Sequence, residues 1–140
     1  VPAVTIDTNI FVSAFEYAGK PRALVQIALD GEIDVAISQP IIDETLRVLR
    51  NKFGWSEDDL QGARNTFDAC THKVAPTQTL DVVTEDPSDN RILECAVEAG
   101  SEFIVTGDKD LLRRGPVWRG IRILKVAEFL DIMTARGRAR

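Results

Sequence analysis

Five carboxylates set the chemical question. Asp7 sits in AVTIDTNIFVSA, Ala3 to Ala14, an apolar stretch broken in its middle by Asp7, Thr8 and Asn9. Asp108 and Asp110 end a second such stretch, FIVTGDKD. A carboxylate in apolar surroundings is costly unless its charge is compensated. In open parallel sheets, sites form at the carboxyl ends of the strands, where these groups fall if the apolar runs are strands. One Asp after a strand is an ordinary helix cap; two such strand ends are a stronger signal.

Asp89 and Glu44 strengthen it. In DPSDNRILECAVEAG, Ile92, Leu93, Ala96 and Val97 mark the buried side of a helix. Asp89 lies three and four positions before the first two, on that same side and in the first turn. In SQPIIDETLRVL, Ile41, Val48 and Leu49 define an apolar stripe that includes Glu44. A glutamate on a covered face needs a partner, and Arg47 or Arg91 would supply a simple ion pair. Asp43 points to solvent, and Asp86 explains itself as a helix cap.

Four or five carboxylates at one sheet edge repel one another unless something neutralises them. Zinc prefers His and Cys, whereas Mg²⁺ and Mn²⁺ take oxygen ligands. With His72 the only histidine, and Cys70 and Cys95 outside any CxxC pattern, a hard divalent cation is the suitable compensator. Such ions polarise phosphate, activate water and stabilise the departing oxygen. Phosphodiester hydrolysis is the expected chemistry, with nuclease and phosphatase both open at this point.

The elements that must position these acids alternate. VTIDTNIFV reads as a strand leading into a helix, PRALVQIALDGE as a helix ended by Gly31, and IDVAIS as a strand. Ser38 and Pro40 open a helix through IIDETLRVLRNKF, closed by Gly54. Ser56 and Asp59 form a capping box for the next helix. LDVVT is expected to hold a short strand. Asp86 caps a helix whose first residue is Pro87 and whose stop is Gly100. EFIVTGD is a strand, KDLLRR a helical turn, IRILKV a strand and AEFLDIMTAR a final helix. Strands separated by helices predict a single-domain α/β three-layer sandwich with a mainly parallel central sheet.

Composition excludes more than it specifies. The 140 residues suit one domain, with 44% apolar and 28% charged residues. A net charge of -5 argues against a coat for non-specific nucleic-acid binding. The stretch lacks an apolar run near 20 residues, a secretory-type leader, GxxxxGK[ST], GxGxxG and GxSxG. Two unpaired thiols then favour a cytoplasmic location and no membrane. Arg113, Arg114, Arg119 and Arg122 cluster late. The chain is expected to divide into a domain at 1–134 and a basic tail at 135–140, ARGRAR, carrying Arg136, Arg138 and Arg140.

Taken in order, VTIDTNIFVSA, SQPIIDETLRVL, DPSDNRILECAVEAGSEFIVTGDKDLL and IRILKVAEFL resemble the PIN-domain family over nearly the whole length. The likeness is to the group described as toxin components of toxin–antitoxin systems, the VapC-like ribonucleases. It implies a Mg²⁺- or Mn²⁺-dependent endoribonuclease with Asp7, Glu44, Asp89 and Asp108 as its catalytic acids. The same four would hold the metal, joined by Asp110 directly or through water. Thr8 and Asn9 would orient Asp7, Thr106 would support the last acids, and Asn90 would touch the surroundings of Asp89 or the substrate. Arg91, Lys109, Arg113 and Arg114 are candidates for substrate phosphates. The resemblance further implies in-line hydrolysis leaving 5′-phosphate and 3′-hydroxyl ends, a homodimer and an antitoxin protein partner. Two rivals stand beside it: a catalytically weak RNA- or protein-binding module, and a small metal-dependent phosphatase. The paired-aspartate type of phosphatase wants a second acid where this chain has Asn9.

Overall fold

The computed structural model describes residues 1–138, the side chain of Arg138 excepted. Ala139 and Arg140, the end of the basic tail, lie outside the described residues. The chain begins with β1 (Ala3–Ile6), α1 (Thr8–Glu16) and α2 (Lys20–Leu29), then β2 (Asp34–Ile37), α3 (Gln39–Phe53) and α4 (Glu57–Cys70). It continues through β3 (Thr71–Lys73), α5 (Asp89–Ala99), β4 (Phe103–Val105) and the short α6 (Lys109–Leu112). β5 (Val117–Trp118), β6 (Ile121–Leu124) and α7 (Val126–Arg138) follow.

The six strands form one sheet in the order β3-β2-β1-β4-β6-β5. All neighbouring pairs are parallel except β5 with β6. This is the expected α/β three-layer sandwich with a mostly parallel sheet. From β1 the chain winds outward through β2 and β3 on one side, then returns to lay β4 on the other. The strand order therefore reverses between β1 and β4, the place where open sheets leave a crevice at their carboxyl ends.

Local signals account for most element ends. Pro21 lies in the first turn of α2 and Pro40 in that of α3. Gly54 ends α3 at φ 68°, a left-handed conformation that costs glycine least. The Ser56–Asp59 capping box is formed in both directions, at 3.1 and 3.2 Å. Ile6, Phe11, Leu24, Ile37, Ile41, Ile92, Leu93 and Phe103 are buried in the main core. Each such side chain contributes about 1.5–3 kcal/mol relative to exposure. A second cluster gathers Val12, Leu46, Leu49, Leu60 and Ala63, with Phe15, Phe53 and Trp55 packed against it. Phe15 meets both Trp55 and Phe67 edge-on, and the Trp55 indole donates to Glu16 at 2.7 Å. These aromatics join the inner packing, as do the free thiols of Cys70 and Cys95, which burial pushes up to about 11.

Three sequence expectations need correction. LDVVT forms no strand; the third strand is Thr71–Lys73, and residues 74–88 are irregular. Ser38 stands at the start of α3, but its hydroxyl makes no capping bond and is wholly buried. Regular α5 starts at Asp89 rather than Pro87, because residues 86–88 form a tight turn instead. α7 continues through residue 134 to Arg138. Among the described residues, no helix is long and apolar enough to cross a membrane.

Candidate functional site

β1 and β4 deliver the first two acids. The Asp7 N–H donates to Val105 C=O at 3.0 Å, carrying the sheet pairing one residue past β1. Asp7 then starts α1, and its side chain remains at the crevice, 3% exposed. Two residues past the end of β4, Thr106 and Gly107 lead to Asp108, which caps α6. Its Oδ1 accepts from the Asp110 N–H at 2.7 Å and the Leu111 N–H at 3.4 Å.

Thr106 ties the two strand ends together. Its hydroxyl donates to Asp7 Oδ2 at 2.6 Å and accepts from the Asp108 N–H at 2.9 Å. The hydroxyl expected to support the last acids bonds Asp7 and the backbone of Asp108, and makes no bond to Asp110.

α5 brings Asp89, 5% exposed, to the same crevice. Oxygens of Asp86, Asp89 and Asp108 lie within 4.8 Å of one another. A cleft of about 50 Å³ is lined by Asp7, Thr8, Asn9, Glu44, Asp86, Ser88, Asp89 and Ile92. Glu44 enters it from α3, 30% exposed, with Arg47 3.6 Å away. The structure therefore brings Asp7, Glu44, Asp89 and Asp108 to one place, and adds Asp86.

Asp86 escaped the sequence reading because a cap explained it. It does serve the turn, accepting from the Ser88 N–H at 3.3 Å and the Ser88 hydroxyl at 2.6 Å. The same carboxylate also gives an oxygen to the cluster. The signal was its spacing: Asp86 and Asp89, three apart, flank a single turn and so project to one end of a helix.

The remaining candidates disperse. Asp110 pairs with Arg113 at 3.0 Å, and Arg114 approaches Glu85 at 3.6 Å. Arg91 is held by both oxygens of Glu94, each at 2.7 Å. Lys109 is exposed beside Asp108, with no carboxylate within 4 Å among the described residues. Thr8 is buried and Asn9 exposed on the cleft wall. Asn90 is 1% exposed and turns away from the acids to bond the backbone of residues 82–87.

Electrostatics at the cluster are unfavourable without a cation. Asp89 is pushed up to about 8, first by burial and then by the charges of Asp108, Asp86 and Asp7. Asp7 is also raised by burial, while the Thr106 hydroxyl pulls it back. Asp89 Oδ2 is buried and has no hydrogen-bond partner. A buried, unpartnered carboxylate oxygen among three converging acids suits a hard divalent cation in donor type and in charge.

A sequence model of the PIN domain matches residues 3–110. No curated protein matches the chain. Among solved structures, it is similar to a chain of the crystal structure of VapBC2 from Rickettsia felis bound to a DNA fragment from their promoter. That likeness has a TM-score of 0.61 at 14% identity and covers 88% of this chain and 98% of the other. At that identity the likeness is one of fold.

Proposed function

The chain belongs to the PIN-domain family, and on that premise we propose that it is a Mg²⁺- or Mn²⁺-dependent endoribonuclease. The observation that carries this reading is the buried, unpartnered oxygen of Asp89, a residue clustered with Asp86 and Asp108, in a cleft that also receives Asp7 and Glu44. Asp86, Asp89 and Asp108 would hold the ion, with Asp7 as the fourth acid and Glu44 as a ligand or water-orienting group. When bound, the ion neutralises the cluster, activates water and stabilises the departing oxygen.

The chain's own groups do the positioning. Thr106 fixes the rotamer of Asp7 and the backbone before Asp108 in a single hydrogen-bonded relay. Glu44, partly exposed and lining the cleft, would act as a ligand or orient water. Lys109, exposed next to Asp108, would meet a substrate phosphate. Arg91, Arg113 and Arg114 are already engaged by carboxylates, so they rank below it. Asp110 is a lesser candidate for the metal, since Arg113 holds it.

RNA is the proposed substrate, and toxin of a toxin–antitoxin pair the proposed role, acting as a homodimer in the cytoplasm with an antitoxin protein. The similar Rickettsia felis structure is a VapBC2 assembly, which supports looking for such a partner.

Asp7→Asn is the direct test. The variant should keep the wild-type circular dichroism spectrum yet lose at least about 100-fold in Mn²⁺-dependent cleavage of single-stranded RNA, about 2.7 kcal/mol in barrier. EDTA should abolish cleavage by the wild type. Activity that survives either change would sink the assignment; hydrolysis of small phosphoesters but not RNA would favour the phosphatase.

A further inference from the structure

Residues 77–83 have no strand partner, and α5 takes that place. One stripe of the helix carries Asn90, Glu94 and Glu98, spaced by four so that they stack on a single face. Glu98 Oε1 accepts from the Thr77 N–H at 2.8 Å and the Thr77 hydroxyl at 2.9 Å. Glu94 Oε2 accepts from the Leu80 N–H at 2.7 Å. Asn90 Oδ1 accepts from the Val82 and Val83 N–H groups, both at 2.9 Å. The segment thus runs antiparallel to α5, zipped by side chains from the far end of the helix down to its first turn.

At that turn Asn90 holds two points at once. Its Nδ2 donates to Val83 C=O at 2.9 Å and to Pro87 C=O at 3.1 Å. Only Thr84, Glu85 and Asp86 lie between those carbonyls. The four bonds use both amide hydrogens and both lone pairs of the oxygen, and they fix the amide's orientation. A Leu of similar shape would leave the Val82 N–H, the Val83 N–H and the Val83 C=O unpaired, while the backbone N–H of residue 90 would still reach the Pro87 C=O at 3.1 Å; an Asp would set a carboxylate against two carbonyls. The polar ladder therefore ends on the residue that closes the loop around Asp86.

We infer that Asn90 is a positioning residue for the acidic cluster: it fixes where Asp86 stands by clamping the loop at Val83 and Pro87. The inference rests on the proposed metal site. It gives a role to a buried amide side chain that bonds none of the acids, and it explains why an irregular segment supplies an acid with a defined place.

The experiment measures Mn²⁺ affinity by electron paramagnetic resonance on the full chain. Variants are Asn90→Ala, Asp86→Asn, their double mutant, and Glu98→Ala, which loosens the same strap at its far end. Asn90→Ala should weaken Mn²⁺ binding about 10–100-fold, the usual effect of removing a group that orients a ligand. Glu98→Ala should stay within about twofold of wild type. The double mutant should bind no more weakly than Asp86→Asn alone, because Asn90 acts through Asp86. In EDTA, amide exchange at Val82 and Val83 should accelerate in Asn90→Ala; Asn90→Ser replaces that variant if it does not fold. Unchanged Mn²⁺ affinity in the Asn90 variant, or effects that multiply in the double mutant, overturns the inference alone. Absence of Mn²⁺ binding by the wild type overturns both this inference and the metal site.

Discussion

At the scale of single residues, the cluster is a place where like charges are forced together. Asp89 carries the largest consequence, its carboxyl raised to about 8 by burial and by its acidic neighbours. A carboxyl raised on folding holds its proton in the native state over a range where the unfolded chain has lost it. Stability of the metal-free protein therefore falls as pH rises from the ordinary aspartate range through about 8. Thermal melts in EDTA should show that slope between pH 5 and 8.5, and Asp89→Asn should flatten it. At the alkaline end the variant should gain about 1–2 kcal/mol, less than full displacement because the cleft admits water. A variant with the wild-type slope would remove Asp89 as its source. Thr106 has the opposite sign. Thr106→Val strips Asp7 of its 2.6 Å bond and leaves the Asp108 N–H unpaired, so melts should show a loss of about 1–3 kcal/mol. Its Mn²⁺ affinity should fall with it, since both acids lose their fixed orientation.

At the scale of elements, the sequence was most legible where one short signal decides an outcome. Pro40 and Gly54 bracket α3, and the Ser56–Asp59 box starts α4, because each acts through its own backbone neighbours. Ser56→Ala should accordingly cost about 1 kcal/mol in a urea melt. Legibility failed where the deciding partner is distant. LDVVT has strand composition, yet the place beside β2 goes to Thr71–Lys73, and the amides of Leu80, Val82 and Val83 are taken by Glu94 and Asn90. The β5–β6 hairpin was overlooked as well. Its turn is Arg119-Gly120, both at positive φ, 49° and 77°, and arginine is a rare occupant of that conformation. Asp86 reads as a helix cap in sequence, whereas Ser88 stands at the cap position and Asp86 holds the turn before it; the expected local role concealed its place in the cluster. Acids assigned from strand ends and helix faces, Asp7, Glu44, Asp89 and Asp108, were found together because parallel topology makes those positions converge.

At the scale of the whole molecule, the convergence follows from one reversal in strand order. Winding β2 and β3 to one side of β1, and β4 and β6 to the other, opens the crevice between β1 and β4. α3 and α5 then border the same opening, so four separate elements each contribute acid to it. The unfolded chain scatters those acids and has no site of comparable affinity. A cation that binds them must stabilise the folded state by mass action. At Mn²⁺ concentrations about 100-fold above its dissociation constant, that stabilisation is about 2.7 kcal/mol, or roughly 5–10 °C in melting temperature for a domain of this size. Asp89→Asn should behave differently at both ends of the comparison. Relieved of repulsion, it should melt above the wild type in EDTA; short of one ligand, it should rise less when Mn²⁺ is added. The gap between the two proteins should therefore narrow or invert with metal. Identical wild-type melts in Mn²⁺ and in EDTA would mean that the converging acids serve something other than a cation, and the nuclease reading would go with them.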